Sequence, residues 1–260
     1  MKGLIFYYSN SGNTKIACSY ISKLIDVIQW DIIDMTNNTK TNLNDYRIIG
    51  FAASTYYGGP PLLVREFINS LPDQKDTPAF VFNTYGLISG KTLKLLGEWV
   101  SNRGFRIISA YSLQTPESYP PLISRGITSK SRPSPGEIVK FNNFINDLKK
   151  TIMRLNKGEK VKNITVQVGL LNSMVPVSTA KKSKSDMGGI HIDDSLCNQC
   201  GICAKICPHA AITLEPLPHF NKDRCQNCWT CYNKCPVKAI YTTTHRGIGH
   251  YPKPHDEFRD

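Results

Sequence analysis

Apolar residues in the first 155 positions form two patterns, short continuous runs and longer stretches with helical spacing. Short runs rich in Ile, Phe, Val and Ala predict buried strands, and apolar residues three or four positions apart predict amphipathic helices. Strands are predicted at 3–8, 29–34, 46–54, 78–83 and 105–112. Helices are predicted at 15–28, 61–71, 91–104 and 135–155.

The order of these elements predicts an α/β domain. Its strands are apolar on both faces, which is typical of a parallel sheet that is covered by helices on each side. Only residues 35–46 join the second strand to the third, so we expect a short helix or an irregular crossover there. Residues 111–135 form a long connection rich in Pro and Ser, and such loops are usually functional or disordered.

The cysteines divide the chain. Eight of the nine lie between Cys197 and Cys235, in two runs of the form CxxCxxCxxxCP that are separated by 28 residues. Seven of sixteen positions agree between 197–212 and 225–240, which indicates an internal duplication. We therefore predict a first domain at 1–155, a linker at 156–189 and a second domain at 190–260.

The spacing of each run favours iron–sulfur clusters. Three cysteines, each three positions after the last, can bind three corners of one 4Fe-4S cluster, and the fourth binds the cluster of the other run. Zinc ribbons instead use CxxC pairs with longer gaps between them. The predicted ligands are Cys197, Cys200, Cys203 and Cys235 for one cluster, and Cys225, Cys228, Cys231 and Cys207 for the other.

Residues 190–241 resemble a bacterial-type two-cluster ferredoxin. This resemblance implies a small α+β domain with a βαββαβ order. Residues 190–193 and 239–241 would then form its outer strands, and residues 210–214 an inner one.

A polar loop, Ser9-Asn10-Ser11-Gly12-Asn13-Thr14, lies between the first strand and the first helix. Backbone N–H groups and the positive end of the helix dipole would make an anion site there. The loop has no Lys or Arg, so it is not a Walker loop, and it lacks the GxGxxG pattern of a Rossmann loop. The sequence therefore predicts a phosphate site of another kind.

Two further loops follow the third and fourth strands, where a doubly wound sheet binds ligands at its carboxyl edge. Together with Ser9, Ser11, Gly12 and Thr14, they resemble the loops of the flavodoxin family over residues 1–155. The resemblance implies bound FMN and a five-stranded doubly wound sheet in the order 2-1-3-4-5. Tyr57 and Tyr85 are candidates to stack on the flavin, or are ordinary half-buried aromatics. The predicted FMN-binding residues are Ser9, Asn10, Ser11, Gly12, Asn13, Thr14, Ser54, Thr55, Tyr56, Tyr57, Gly58, Asn83, Thr84, Tyr85 and Gly86.

The whole chain resembles the flavodoxin–ferredoxin fusion proteins of anaerobes. This implies an electron-transfer protein that couples one-electron and two-electron carriers for a partner, either a ferredoxin-linked enzyme or a small-molecule electron acceptor. The alternative is a reductase of a small organic substrate, with Tyr57, Tyr85, Tyr119 or a His of the tail as proton donor. No catalytic residue is assigned, and whether the chain is an enzyme stays open.

The net charge of +12, from 32 basic and 20 acidic residues, at first suggests a nucleic-acid or membrane partner. Residues 1–150 have 17 basic and 11 acidic residues, whereas residues 191–260 have 8 and 7. Each cluster site with its four thiolates would add about −2 to the second domain. We therefore expect redox partners whose association depends on salt, and no nucleic acid.

The location of the protein is expected to be cytoplasmic. No apolar run approaches the ~18 residues of a membrane span. The apolar stretch 3–8 is shorter than the apolar region of a secretory signal. Dense cysteines in a reducing compartment indicate metal binding more often than disulfides.

Overall fold

The computed structural model describes residues 1–37, 41–127, 131–177 and 180–253, with only the backbone at 180 and 181. The contacts divide these residues into two compact units. The first unit contains residues 1–115 and 131–177. The second contains residues 116–127 and 180–253.

The first unit is built on a five-stranded parallel sheet in the order β2-β1-β3-β4-β5. The central strands β1 and β3 are buried along almost their whole length, as their continuous apolar runs predict. This order confirms the predicted doubly wound sheet. The strands are β1 Lys2–Tyr8, β2 Gln29–Asp34, β3 Ile48–Ser54, β4 Thr77–Tyr85 and β5 Phe105–Gln114.

Helices cover both faces of this sheet. On one face, Ile21 and Phe141 pack with Phe82, and on the other, Ile68 and Leu96 pack in a second cluster of buried residues. The crossover after β2 contains one 3-10 turn, Leu43–Asp45; residues 38–40 of the predicted connection lie outside the described ranges. The helices of the first unit are α1 Asn13–Leu24, α2 Leu62–Ser70, α3 Thr92–Asn102, α5 Pro135–Asn156 and α6 Leu170–Met174, and the short α4 Pro120–Ile123 belongs to the second unit.

The start of α5 is fixed by a capping box. Ser134 Oγ accepts a hydrogen bond from the Glu137 backbone N–H at 3.4 Å, and a Glu137 carboxylate oxygen accepts one from the Ser134 N–H at 2.6 Å. Two donors that the helix leaves unpaired are satisfied in this way, and Pro135 stands where its missing N–H has no cost. The long α5 therefore begins immediately after the Pro/Ser-rich segment.

Residues 164–177, which the sequence assigns to the linker, pack along the first unit. The Ile164 N–H donates to Ile107 O at 2.8 Å, and Asn172 Oδ1 accepts from the Gly90 N–H at 3.1 Å. Val166 lies so close to Gly97 that a Cβ at this glycine would meet it at 2.7 Å. Val166 and Val168 of this segment thus pack against the core of the first unit, whereas Leu170, Leu171 and Met174 are exposed.

The second unit is a small α+β fold. Strand β6 pairs with β9, and β7 pairs with β8, both antiparallel. The outer pair matches the strands predicted at 190–193 and 239–241. The elements are α7 Ala180–Met187, β6 Ile190–Ile192, α8 Ile202–Lys205, β7 Ile212–Leu214, β8 Pro218–Phe220, α9 Thr230–Lys234 and β9 Ile240–Thr242.

Residues 116–127, from the Pro/Ser-rich connection, pack within the second unit. The Tyr119 hydroxyl donates to Asp186 Oδ2 at 3.2 Å, and Asn233 Nδ2 donates to Ser118 O at 2.8 Å. Tyr119 also packs against the buried cluster that contains Met187 and Trp229. We call residues 116–127 the strap.

Helices long and apolar enough to span a bilayer are absent from the part of the chain that the structure describes.

Candidate cofactor sites

The predicted phosphate loop connects β1 to α1. Gly12 precedes the helix with φ 107°, a conformation that favours glycine. Ser9 Oγ accepts hydrogen bonds from the backbone N–H groups of Gly12 at 3.1 Å and Thr14 at 3.2 Å. These N–H groups belong to the set that a helix start leaves without backbone partners. Two backbone N–H groups of the loop therefore converge on one oxygen atom, which is the arrangement that an anion site requires.

Side-chain hydrogen bonds join this loop to the neighbouring strands. Ser54 Oγ donates to Asn10 Oδ1 at 2.9 Å, and the hydroxyls of Thr14 and Thr84 lie 2.9 Å apart. Asn13 Nδ2 donates to Thr115 Oγ1 at 3.0 Å. The structure thus brings all three predicted loops together at the carboxyl edge of the sheet. Thr115 was missed from the sequence, although it directly follows β5 at this same edge.

Asn83 uses its side chain to hold the edge of the sheet. Its Nδ2 donates to Thr55 Oγ1 at 3.0 Å and to Ser89 Oγ at 3.1 Å, and its Oδ1 accepts from Ser112 Oγ. The residue is fully buried. These contacts satisfy both ends of the amide, so they make Asn83 a support for the neighbouring loops. Ser89 and Ser112 are supporting residues that the sequence did not reveal.

The loop after β3 closes as a tight turn. Tyr56 and Gly59 exchange backbone hydrogen bonds of 2.8 and 3.2 Å, and Tyr57 and Gly58 between them have φ values of 48° and 79°. Two successive positive φ angles define a type I′ turn. A Cβ on Gly58 would lie 2.8 Å from the Pro176 carbonyl oxygen, so this position is closed to larger residues.

The two candidate stacking tyrosines differ in their surroundings. Tyr57 packs edge-on against Tyr56, with ring centroids 4.8 Å apart. Burial, and then the negative charge of Glu137, raise the pKa of Tyr85, and Arg132 partly opposes this. The Tyr85 phenol therefore stays protonated at neutral pH.

The eight clustered cysteines line two cavities, with four sulfurs each. Residues of both repeats line each cavity, because the last cysteine of each run lies with the first three of the other. The cavities have empty volumes of about 320 and 350 Å³, including space open to solvent. The first is lined by Cys197, Cys200, Cys203 and Cys235, and the second by Cys207, Cys225, Cys228 and Cys231.

The duplicated sequence forms a duplicated backbone. Positive φ angles recur 28 residues apart, and the pairs include Gln199 with Asn227, both at 55°. The N–H groups of Ala211 and Ala239 donate to the sulfurs of Cys207 and Cys235, each at 3.3 Å. The other pairs with positive φ are Gly201 with Trp229 and Ala210 with Lys238.

The chemistry of these sulfurs fits an iron–sulfur cluster. Burial raises the pKa of the Cys203, Cys225 and Cys228 thiols, and that of Cys231 lies well above its usual range for the same reason. Four thiolates grouped around one cavity, several of them partly buried, would be unfavourable alone, and a positively charged iron–sulfur core would compensate their charge. Backbone N–H groups that donate to the sulfurs further stabilise their negative charge.

A third cavity lies beside the second cysteine set. Lys184 and Lys222 line it together with Cys225, and its empty volume is about 610 Å³, including open space. Lys184 Nζ donates to the Lys222 carbonyl oxygen at 3.2 Å. Two positive side chains therefore stand next to one of the predicted cluster ligands.

Comparisons with known proteins define the class of both parts. A family model described as a flavodoxin domain matches residues 4–100. A model described as a 4Fe-4S binding domain matches twice, at 190–213 and 218–241. The chain is thus a fusion of a flavodoxin domain with a two-repeat 4Fe-4S domain, and its cofactors are FMN and two 4Fe-4S clusters. Both are electron-transfer domains.

Two curated relatives match the cysteine-rich part. A ferredoxin of Pyrobaculum islandicum is 35% identical over 51 residues, or 19% of this chain and 48% of that protein. Pyruvate synthase subunit PorD of Methanocaldococcus jannaschii is 37% identical over 51 residues, or 19% of this chain and 59% of that protein. The chain thus spans about half the length of the curated relatives it matches.

Solved structures similar to the chain include a flavodoxin from the Archaea. It has a TM-score of 0.44 and 19% identity, and the match covers 59% of this chain and 99% of that one. Rubredoxin oxygen:oxidoreductase of Desulfovibrio gigas has a TM-score of 0.46 and 14% identity, covering 60% of this chain and 37% of that one.

Proposed function

We propose that the chain transfers electrons between two 4Fe-4S clusters and an FMN, and so couples one-electron and two-electron carriers for a partner enzyme. FMN exchanges one or two electrons, whereas a 4Fe-4S cluster exchanges one. The observation that carries the proposal is the grouping of eight cysteine sulfurs, four around each of two cavities, in a chain that also has a flavodoxin domain.

The loops at the carboxyl edge of the first sheet would hold FMN. The Gly12 and Thr14 N–H groups, now paired with Ser9 Oγ, would turn to the phosphate, and the Tyr56–Gly59 turn would border the ring. The proposed FMN residues are Ser9, Asn10, Ser11, Gly12, Asn13, Thr14, Ser54, Thr55, Tyr56, Tyr57, Gly58, Asn83, Thr84, Tyr85 and Gly86.

The cysteines would ligate the clusters in the crossed arrangement. Cys197, Cys200, Cys203 and Cys235 would bind one cluster, and Cys207, Cys225, Cys228 and Cys231 the other. We further propose that residues 1–155 provide the FMN site, that residues 190–260 provide the cluster ligands, and that 156–189 connect them in sequence. The crossed lining of the two cavities supports this ligand set.

The proposed partner is a ferredoxin-linked enzyme with acidic side chains at its docking surface. One curated relative of the cysteine-rich part is named as a subunit of pyruvate synthase. Lys184 and Lys222 line a cavity next to Cys225, so an acidic surface would be attracted close to a cluster ligand. Electrostatic attraction of this kind weakens as salt screens it.

The test uses the full chain, purified without oxygen and reconstituted with iron, sulfide and FMN. We expect eight irons, eight sulfides and one FMN per chain, and rapid reduction by pyruvate synthase that slows as ionic strength rises. Iron and sulfide well below eight would contradict the cofactor assignment. Failure of several ferredoxin-linked enzymes to reduce or oxidise the loaded protein would contradict the electron-transfer role.

The two lysines provide a matched comparison. The K184Q/K222Q variant should react more slowly with pyruvate synthase at low salt and show a weaker salt dependence than the unmodified chain. The K140Q/K157Q variant removes the same charge from exposed positions of the first unit and should behave as the unmodified chain. Equal rates in both variants would overturn the docking role of Lys184 and Lys222.

One observation favours a second candidate function, the reduction of a small organic substrate at the flavin. The Tyr85 phenol stays protonated, and the Arg132 guanidinium lies near enough to influence its pKa. A proton donor beside a cation would suit an anionic substrate. If the chain is such a reductase, Y85F should abolish turnover of a small acceptor without altering electron exchange with pyruvate synthase. If the chain is only a carrier, Y85F should leave both reactions unchanged.

A further inference from the structure

The two cysteine repeats differ at a position where their backbones agree. Gly201 and Trp229 both follow the second cysteine of their run, with φ values of 69° and 62°. Glycine adopts this left-handed conformation freely, whereas for a bulky residue it is rare and costs roughly 1–2 kcal/mol. Trp229 thus occupies a position at which its side chain is conformationally disfavoured.

The surroundings of Trp229 hold its indole ring in one place. The side chain is only 2% exposed. Three rings pack edge-on against it: Tyr119 at 6.1 Å, Tyr232 at 5.3 Å and His245 at 5.4 Å between centroids. Tyr119 belongs to the strap, so a segment distant in sequence helps to fix the indole.

The indole nitrogen of Trp229 is left without a partner. Its Nε1 is buried and has no hydrogen-bond acceptor among the residues that the structure describes. Buried Trp N–H groups usually donate to some acceptor, because an unpaired buried donor costs about 1–3 kcal/mol. Trp229 also lines the second cysteine cavity, together with Cys225, Cys228 and Cys231.

We infer that the Trp229 Nε1–H donates a hydrogen bond to a sulfur of the second 4Fe-4S cluster and raises the reduction potential of that cluster. The inference rests on the proposed ligation by Cys207, Cys225, Cys228 and Cys231. Gly201, at the equivalent place in the first repeat, has no side-chain donor. Trp229 is therefore a tuning residue that distinguishes the two clusters.

The direction of the effect follows from charge. One-electron reduction adds a negative charge to the cluster, and a hydrogen bond to its sulfurs is stronger when that charge is larger. The donor thus stabilises the reduced form more than the oxidised form, which raises the potential. The backbone N–H of Asn227, which donates to Cys225 Sγ at 3.4 Å, acts in the same direction on this cluster.

The test is W229F in the reconstituted full chain, titrated anaerobically and monitored by EPR. The variant keeps an aromatic ring and removes the donor. We expect a shift of about tenfold in the equilibrium between oxidised and reduced second cluster, toward the oxidised form, which equals about 59 mV for one electron. The first cluster should keep its potential. A C200S chain, which would retain only the second cluster, assigns the EPR signals.

Y232F is the matched control. It removes a hydroxyl whose hydrogen bond goes to the Ile248 carbonyl at 2.6 Å, and it keeps the ring that packs against Trp229. Both potentials should stay unchanged in Y232F. If W229F binds eight irons and the potential of its second cluster is unchanged, only the inference about Trp229 is overturned. If the unmodified chain binds fewer than eight irons, the proposed ligation is contradicted instead.

A direct measurement covers the case in which W229F does not assemble its clusters. In the unmodified chain, labelled with ¹⁵N-tryptophan and reduced, pulsed ENDOR should detect an exchangeable indole proton coupled to the cluster. The coupling should persist in W30F and W99F, which remove the two other tryptophans. Absence of the coupling in fully loaded protein would overturn the hydrogen bond.

Discussion

Thr14 and Thr84, seventy residues apart in sequence, place their hydroxyl oxygens 2.9 Å apart in the interior of the first unit. Thr14 is fully buried at the start of α1, and Thr84 is 2% exposed near the end of β4. One hydrogen bond thus ties the phosphate loop to the strand that precedes a second predicted flavin loop. Both residues are buried from solvent.

Thr84→Val should therefore destabilise the first unit by about 1–3 kcal/mol, because it leaves the buried Thr14 hydroxyl unpaired. Denaturant unfolding of the full chain without FMN, followed by circular dichroism, measures this loss. The T14V/T84V double variant should lose less than the sum of the two single variants, since it leaves no hydroxyl unpaired. Additive losses would show that the hydrogen bond is not the cause.

Gly58→Ala should impair both folding and FMN binding. The residue combines φ 79° with a Pro176 oxygen 2.8 Å from the position of a new Cβ, so the type I′ turn would have to open. We expect a loss of more than about 1 kcal/mol and an FMN dissociation constant raised by tenfold or more. The change in FMN fluorescence between the free and the bound flavin measures the affinity.

Gly136→Ala is the control for this substitution. Gly136 lies in the first turn of α5, and a Cβ there meets nothing within 4 Å. Alanine is the better helix former, so this variant should be unchanged or more stable by up to about 1 kcal/mol. A loss of FMN affinity in G136A equal to that in G58A would contradict the role assigned to the turn.

Iron counts in serine variants can test the crossed ligation. C200S and C235S should each retain four irons, and the C200S/C235S double variant should also retain four, because both residues line the first cavity. C200S/C207S should retain none, because it damages both sites. C18A removes the core cysteine outside the motifs and should keep eight. If C200S/C235S retained no iron and C200S/C207S retained four irons, each run would bind its own cluster.

The second unit should become less stable as the solution becomes acidic. Burial lowers the pKa of His245 and His250 below the usual value of 6.5. The fold thus favours neutral rings; their contribution is fully present above about pH 6.5 and is lost as the pH falls through the lowered folded values. His250 stacks on Tyr232, with ring centroids 4.5 Å apart.

His250→Phe should keep this stacking and reduce the acid sensitivity. Urea unfolding of the reconstituted chain between pH 7.5 and 5 measures it, with a cluster absorbance band as the probe. His219→Phe changes an exposed histidine and should leave the pH profile unaltered. An unchanged profile in H250F would show that His250 does not cause the acid sensitivity.

Local pattern and spacing were enough to predict the alternating strands and helices, the parallel sheet and the two runs of cysteines, whereas the strand order came from the resemblance to flavodoxins. Strands β1 and β3 are buried on both faces, so a continuous run of apolar residues is enough to locate them in the sequence. The polar residues that brace the predicted flavin loops were harder to predict. Thr115, Ser89 and Asn172 have no motif of their own, and they matter only through contacts that the folded sheet creates.

The strap could not be predicted because its partners are distant in sequence. The Tyr119 hydroxyl donates a hydrogen bond to Asp186, which is 67 positions away in sequence. Asn233 donates one to the Ser118 carbonyl oxygen, 115 positions away. A Pro/Ser-rich segment has no hydrophobic period that would reveal a packed face. Trp229 could not be interpreted for a similar reason, since its buried nitrogen is evident only once the ring is placed.

The strap makes the iron–sulfur unit discontinuous in the gene. Its polypeptide comes from two separate stretches, one encoded between β5 and α5 of the first unit and the other after residue 177. Exchange of the cysteine-rich part between genes by a single crossover would leave Tyr119 behind and expose one side of Trp229.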